Sequence, residues 1–331
     1  MTHAAITAVA SWLPERRLTN ADLERMVDTS DEWIRSRTGI VERRIADDSD
    51  ATSDLAARAG TLALQRAGVD PSKVDLLIVA TSSPDMTFPS TACLAQAKMG
   101  LTCPAFDLSA ACTGFIYGLH LATSVIEAGR ARTVLVIGAE ILTRLLDFTD
   151  RTTCVLFGDG AGAMVVQASE EAGVLGVHLG ADGTGADLLS VPAGGTAMAC
   201  TAETLAAGKQ FLQMNGNEVF KFAVRAIPKV TLQALSESGL TVADVDWLVP
   251  HQANERITNT VGERLGIPHE HVVNSIAMTG NTSTASIPLA LDGLYTSGDL
   301  RPGQVLALVG FGAGLTYGAA IVRWTGKDAQ S

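Results

Sequence analysis

Phe106-Asp107-Leu108-Ser109-Ala110-Ala111-Cys112-Thr113-Gly114-Phe115 is the stretch on which the reading of this chain turns. A short apolar run gives way to small residues. Beyond them Phe115, Leu119, Ala122, Val125 and Ile126 recur at helical spacing. The order is strand, tight turn, helix, and it places Cys112 at or near the helix's first turn. Unpaired N–H groups and the positive end of the helix dipole lie there, so a thiol of lowered pKa is expected. Ala110, Ala111, Thr113 and Gly114 leave room for a substrate to approach. Taken alone, the stretch fits a buried structural cysteine equally well.

Two later segments bear on that choice. Trp247-Leu248-Val249-Pro250-His251-Gln252-Ala253-Asn254 is a short apolar strand ending in Pro-His. Gly280-Asn281-Thr282-Ser283-Thr284-Ala285-Ser286 is a glycine turn and polar run opening the apolar stretch Ile287 to Leu291. Each has an ordinary reading, as a satisfied structural histidine and as a turn with a helix cap. Together with Cys112 they supply a nucleophile and two neutral hydrogen-bonding side chains. All three sit at strand ends or helix starts, where α/β folds place chemistry.

Strands alternate with helices along the rest of the chain, which implies an α/β class. Val74-Asp75-Leu76-Leu77-Ile78-Val79-Ala80 is echoed by Val245-Asp246-Trp247-Leu248-Val249-Pro250. Arg132-Thr133-Val134-Leu135-Val136-Ile137-Gly138 is echoed by Gly303-Gln304-Val305-Leu306-Ala307-Leu308-Val309-Gly310. The expectation is two duplicated βα halves, residues 1–172 and 173–331. A length of 331 residues is enough for both to carry a core. The Gly/Ala/Thr-rich stretch from Gly180 to Gly208 reads as a long loop or lid.

Composition excludes several classes. A net charge of −11 argues against nucleic acid. Charges or Gly/Pro interrupt every apolar run before it reaches membrane-spanning length. The start lacks a basic leader before a long apolar core. The five cysteines are odd in number and show no C-x-x-C spacing, so they read as reduced thiols rather than a disulfide frame or zinc site. A cytoplasmic protein without a metal is expected.

The motifs in their order resemble the β-ketoacyl-acyl carrier protein synthase III family, the initiating condensing enzymes of the thiolase superfamily. Asp31-Glu32-Trp33-Ile34-Arg35-Ser36-Arg37-Thr38-Gly39-Ile40 is close to the family's DEWI-x-x-RTGI signature. The Cys112 turn, Phe157-Gly158-Asp159-Gly160-Ala161-Gly162-Ala163 and Met214-Asn215-Gly216-Asn217-Glu218-Val219-Phe220-Lys221 follow. The His251 and Asn281 segments and Gly310-Phe311-Gly312-Ala313-Gly314 complete the set. The resemblance implies a thiolase-like fold with a five-layered αβαβα core. It implies a decarboxylative condensation of an acyl-CoA primer with malonyl-acyl carrier protein, without a cofactor, in a homodimer.

The same resemblance assigns residues. Cys112 carries the acyl group, since a thiolate exchanges readily with thioesters. His251 and Asn281 donate to the malonyl thioester oxygen as negative charge grows. The backbone N–H groups of Cys112 and Ala313 form the oxyanion hole. Trp33, Arg37 and Arg151 hold coenzyme A, and Asn254 lines the pantetheine tunnel. Phe88 crosses the dimer interface to close the partner's acyl pocket. Lys221, Arg225 and Lys229 make a basic stripe at i, i+4 and i+8 that Arg256 and Arg264 extend. The stripe reads as an ordinary solvated face or as a dock for an acidic carrier protein. Pro228 is expected to disturb that helix.

Two departures from the family pattern stand close to the motifs: Met278-Thr279 before Gly280, and Ala313 within the glycine triplet. They leave the primer open. A degradative thiolase would need a second cysteine near the C-terminal glycine loop, and none occurs after Cys200. The competing enzymatic reading is an acyltransferase of secondary metabolism that moves the acyl group to an alcohol, amine or CoA-bound acceptor.

Overall fold

The computed structural model describes residues 2–327 and builds two sheets from one repeated plan. β1 (His3–Trp12), β2 (Leu76–Ala80), β3 (Ala105–Leu108), β4 (Thr133–Glu140) and β5 (Gly160–Ser169) form the first, in the order β1-β5-β4-β2-β3. β6 (Val174–Ala181), β7 (Trp247–Pro250), β8 (Val305–Gly312) and β9 (Thr316–Arg323) form the second, in the order β6-β9-β8-β7. The directions match position by position. β4 is parallel to β2 and antiparallel to β5, while β8 is parallel to β7 and antiparallel to β9. The place of β3 is marked in the second sheet by one parallel bridge, Leu248 to Val272.

The sequence echo has a physical content. The Asp75 carboxylate accepts the N–H groups of Arg132 and Thr133 at 2.7 and 2.9 Å. The Asp246 carboxylate accepts the N–H of Val305 at 2.7 Å. In each half an aspartate ahead of one strand thus satisfies the entry of its parallel neighbour, which fixes their register.

The longer helices are α1 (Asp31–Thr38), α2 (Thr52–Ala67), α3 (Thr91–Lys98), α4 (Gly114–Glu127), α5 (Gly216–Glu237), α6 (Glu255–Leu265) and α7 (Ser286–Thr296). Strand alternation sorts them into layers. Val134 and Val136 of β4, with Leu306 and Leu308 of β8, face a core shared with Phe115, Leu119, Ile287 and Leu291 of α4 and α7. Leu135 and Ile137 point the other way, onto α2 and α3. Val305, Ala307 and Val309 point onto α5 and α6. The layers run helix, sheet, helix, sheet, helix, and the central pair belongs to both sheets. Because both faces of each sheet are covered, these strands read as continuous apolar runs.

Two local expectations need correction. The stretch 180–208 is not one loop. It holds a 3₁₀ segment Gly183–Leu188, a strand Leu189–Ser190 paired to Gln213–Met214, and a helix Ala202–Ala206. Pro228 does not interrupt α5. A proline removes the hydrogen bond to the carbonyl four residues earlier, here Val224, and the Arg264 guanidinium donates to that oxygen at 2.7 Å.

Candidate active site

Cys112 lies in a single 3₁₀ turn, Ala111–Thr113, between β3 and α4. It stands two residues ahead of the α-helix rather than in its first turn. Ala111 holds a left-handed φ of 45°, costly for a residue with a Cβ, and the fold over-determines it. The end of β8 crosses so closely that a Cβ on Gly312 would lie 2.6 Å from the Cys112 nitrogen. Thr316 adds a clamp by donating to the carbonyls of Ala110 and Ala313 at 3.0 and 3.1 Å.

A second turn has the same shape. Ser283–Ala285 is a 3₁₀ segment running into α7, and Ser283 holds a φ of 49°. These two residues are the non-glycine positions with positive φ among those described. The turn is pressed against β4, where a Cβ on Gly138 would lie 2.4 Å from the Thr284 oxygen. Asn281 precedes it, with its backbone tied to Leu156 and Gly158 at 2.8 and 3.0 Å. The Asn281 Oδ1 accepts the Ser283 N–H at 2.9 Å. That bond fixes which end of the amide is oxygen and leaves the NH₂ group to donate. Asp159 of the Phe157–Ala163 motif is buried and accepts from Ala46 and Thr143, bracing the same region.

His251 follows β7 and is 2% exposed. Its backbone N–H donates to Val309 at 2.7 Å, and its ring packs edge-on against Phe311. Nδ1 is 2.6 Å from the Ser286 hydroxyl, which also takes the Gln252 N–H at 3.3 Å. Ser286 therefore has its own proton free for Nδ1, and Nε2 keeps a hydrogen to present. Burial pushes the imidazole down to about 3, so the ring is neutral at physiological pH.

Cys112 borders two spaces. One is a cavity of about 400 Å³ walled by Leu142, Leu145, Phe157, Leu189 and Leu212, with Ser82, Ser283 and Ala313 also on its surface. The other, of about 110 Å³, is shared by Cys112, His251, Asn281 and Phe311 and reaches Phe220 and Asn254. The expectation of a low thiol pKa is not met: burial pushes Cys112 up to about 12, against a lowering contact with Ser283 and reinforced by the charge of Glu140.

The remaining residues divide by place. Trp33 is half-buried on α1, with the guanidinium groups of Arg37 and Arg151 5.5 and 5.3 Å from its ring centre. Asn254 caps α6 by accepting the Arg256 N–H at 2.9 Å and donates to the Arg37 carbonyl at 3.0 Å, which joins the Trp33 cluster to the narrower space. Phe88 is 82% exposed and borders neither space. Lys221, Arg225 and Lys229 are exposed along α5, with Lys221 paired to Glu218 at 2.7 Å. Arg256 lies over Phe220, 5.7 Å from its ring centre. Arg264 is engaged with Val224, a task that spacing did not reveal. Of the two departures, Ala313 borders the larger cavity, while Met278 is 46% exposed and touches neither space.

Ser286, Ser283 and Glu140 were missed as site residues. Glu140 carried a visible signal, as a carboxylate closing the apolar run Val134 to Ala139.

Comparison with known proteins identifies the chain's relatives. A family model described as 3-oxoacyl-[acyl-carrier-protein] synthase III matches residues 106–183, and the model of that enzyme's C-terminal region matches 235–324. A β-ketoacyl-[acyl-carrier-protein] synthase III from Caldanaerobacter subterraneus subsp. tengcongensis is 51% identical over 324 residues, spanning 97% of this chain and 98% of that protein. The crystallised synthase III of Thermus thermophilus is 49% identical with a TM-score of 0.90, covering 97% and 99% of the two chains. The priming β-ketosynthase of the R1128 polyketide pathway is 37% identical with a TM-score of 0.91, covering 98% and 96%.

Proposed function

The chain belongs to the β-ketoacyl-[acyl-carrier-protein] synthase III family, and from that premise we propose that Cys112, His251 and Asn281 carry out its initiating condensation in two steps. In the first, Cys112 takes the acyl group of an acyl-CoA primer, and the larger apolar cavity holds the acyl chain. In the second, malonyl-acyl carrier protein enters by the narrower space. His251 Nε2–H and the Asn281 NH₂ group donate to its thioester oxygen as carbon dioxide leaves, and the resulting carbanion attacks the acyl carbonyl. The backbone N–H groups of Cys112 and Ala313 serve the tetrahedral intermediate, where losing one donor typically costs about 3 kcal/mol of barrier.

The observation that carries this reading is the place of Cys112 between an apolar chamber and a polar passage holding two neutral donors. A neutral imidazole suits charge stabilisation, whereas a cation would tie up the malonyl carboxylate as an ion pair. Trp33, Arg37, Arg151 and Asn254 form the coenzyme A path, and Lys221, Arg225 and Arg256 the carrier-protein dock, with Arg264 flanking it. Phe88, exposed in the single chain, closes the acyl cavity of a second copy in a cytoplasmic homodimer. The catalytic parts come from two halves, 1–172 and 173–331, and no resident cofactor is needed.

The test separates the steps. Intact-mass measurement after mixing with a panel of acyl-CoA thioesters should show one acyl group on wild type and none on Cys112→Ser. His251→Ala and Asn281→Ala should still acquire the acyl group but release little carbon dioxide from malonyl-acyl carrier protein. Acylation at another residue, or parental carbon dioxide release from both variants, overturns the assignment.

A further inference from the structure

The two donors proposed for the tetrahedral intermediate, the N–H groups of Cys112 and Ala313, come from opposite halves of the chain. Cys112 lies in a 3₁₀ turn, and Ala313 follows the last residue of β8. An oxyanion hole works only if its donors are held at a fixed spacing before charge develops. These two segments approach too closely for a side chain to stand between them, as the missing room at Gly312 shows.

One side chain reaches both. Thr316 opens β9 directly across from Gly312. Its hydroxyl lies 3.0 Å from the Ala110 carbonyl, 3.1 Å from the Ala313 carbonyl and in hydrogen-bond contact with the hydroxyl of the fully buried Thr113. Each hydroxyl carries one hydrogen. Passing them from Thr113 to Thr316 to Ala313 uses both and ties the nucleophile's turn to the turn after β8. The Ala110 carbonyl keeps the Thr113 backbone N–H at 3.2 Å. Only the dihedral angles of Ala313 separate its carbonyl from its N–H. Only those of Ala111, the residue with the left-handed φ, separate the Ala110 carbonyl from the Cys112 N–H.

We propose that Thr316 is a positioning residue, whose hydroxyl sets the spacing of the Cys112 and Ala313 N–H groups and so the strength of the oxyanion hole. The inference rests on Cys112 being the acylated nucleophile and on those two groups being its oxyanion donors.

Two reactions of the same thiol test it. Acylation by acyl-CoA passes through a tetrahedral oxyanion, whereas iodoacetamide alkylates Cys112 by displacement at a saturated carbon. Thr316→Val keeps the branched shape and removes the hydroxyl. Losing a whole donor costs about 10²–10³ in rate, so a displaced one should slow Thr316→Val acylation at saturating acyl-CoA by about tenfold, with the half-saturating concentration unchanged. Alkylation of Thr316→Val should keep the wild-type rate, and Thr316→Ser, which retains the hydroxyl, should acylate close to wild type. Parental acylation by Thr316→Val overturns the proposal, as does a Thr316→Ser variant equally slow. Equal slowing of acylation and alkylation also overturns it, because that marks a general loosening of the nucleophile's turn. So does a defect confined to the half-saturating concentration, since Thr316 borders the larger cavity and would then be a contact for the acyl chain. If Thr316→Val does not fold, as judged by circular dichroism, Thr316→Ala carries the same comparison. Wild type that alkylates at Cys112 but takes an acyl group from no acyl-CoA overturns the acyl-enzyme reading and the proposal with it, a result distinct from any difference among the variants.

Discussion

Replacing Ser286 by alanine asks how much of the work of His251 depends on one hydroxyl. The Ser286 oxygen is 2.6 Å from Nδ1, and both residues are buried. Alanine removes the bond that holds Nδ1 as an acceptor, so a tautomer with its hydrogen on the wrong nitrogen is no longer opposed. Leaving a buried polar atom unpaired costs about 1–3 kcal/mol. At tenfold per 1.4 kcal/mol, the second step should slow by roughly 5- to 140-fold. Deleting the imidazole in His251→Ala removes a donor outright, typically worth about 10²–10³. The expected order of rates is wild type, then Ser286→Ala, then His251→Ala. The assay pre-acylates Cys112, removes free thioester, and follows a single turnover of carbon dioxide release from malonyl-acyl carrier protein. Parental release from Ser286→Ala refutes the tautomer argument. Acylation slowed as much as condensation refutes the assignment of His251 to the second step alone.

Three further outcomes are expected. Arg264→Ala should lower stability by about 1–3 kcal/mol in denaturant titrations, and by much less in a Pro228→Ala background, where residue 228 regains the N–H that Val224 lacks; equal losses in both backgrounds would break the coupling. His251 has a folded pKa depressed from 6.5 to about 3, so the unfolded chain binds the extra proton between those values. Its contribution is fully present above pH 6.5 and is lost as pH falls towards 3, at about 1.4 kcal/mol per unit, a slope His251→Gln should remove. Reversing Lys221 and Arg256 to Glu should raise the apparent KM for malonyl-acyl carrier protein and abolish its salt sensitivity, with little effect on acylation from acyl-CoA; equal salt sensitivity in the two proteins would place docking elsewhere.

What the sequence disclosed follows from where information is local. The α/β class was legible because strands and helices alternate along the chain, and the duplication because Asp75 and Asp246 perform the same local task. The five layers followed instead from the resemblance, since strands covered on both faces read as continuous apolar runs. Cys112, His251 and Asn281 stood out because each follows a strand end or turn of unusual composition. The Cys112 pKa was misjudged because a helix terminus is worth about 1 kcal/mol, whereas full burial shifts a group by about 3–5 units. Burial by distant segments is not written beside the residue. Ser286 and Arg264 escaped for the same reason, since their partners lie 35 and 40 residues away.

The paired left-handed turns have an implication for how such a chain diverges. Aligned by their 3₁₀ segments and positive φ, Ala111 corresponds to Ser283 and Cys112 to Thr284. The residue in the nucleophile's slot of the second half is folded inward, donating to Ala80 and Glu140 at 3.0 and 3.2 Å. Both copies kept the costly conformation while the side chains mounted on it parted company. Kinship between the halves is thus better sought in backbone angle than in residue identity, and a substitution at Ala111 or Ser283 should be judged first by whether it can bear that angle.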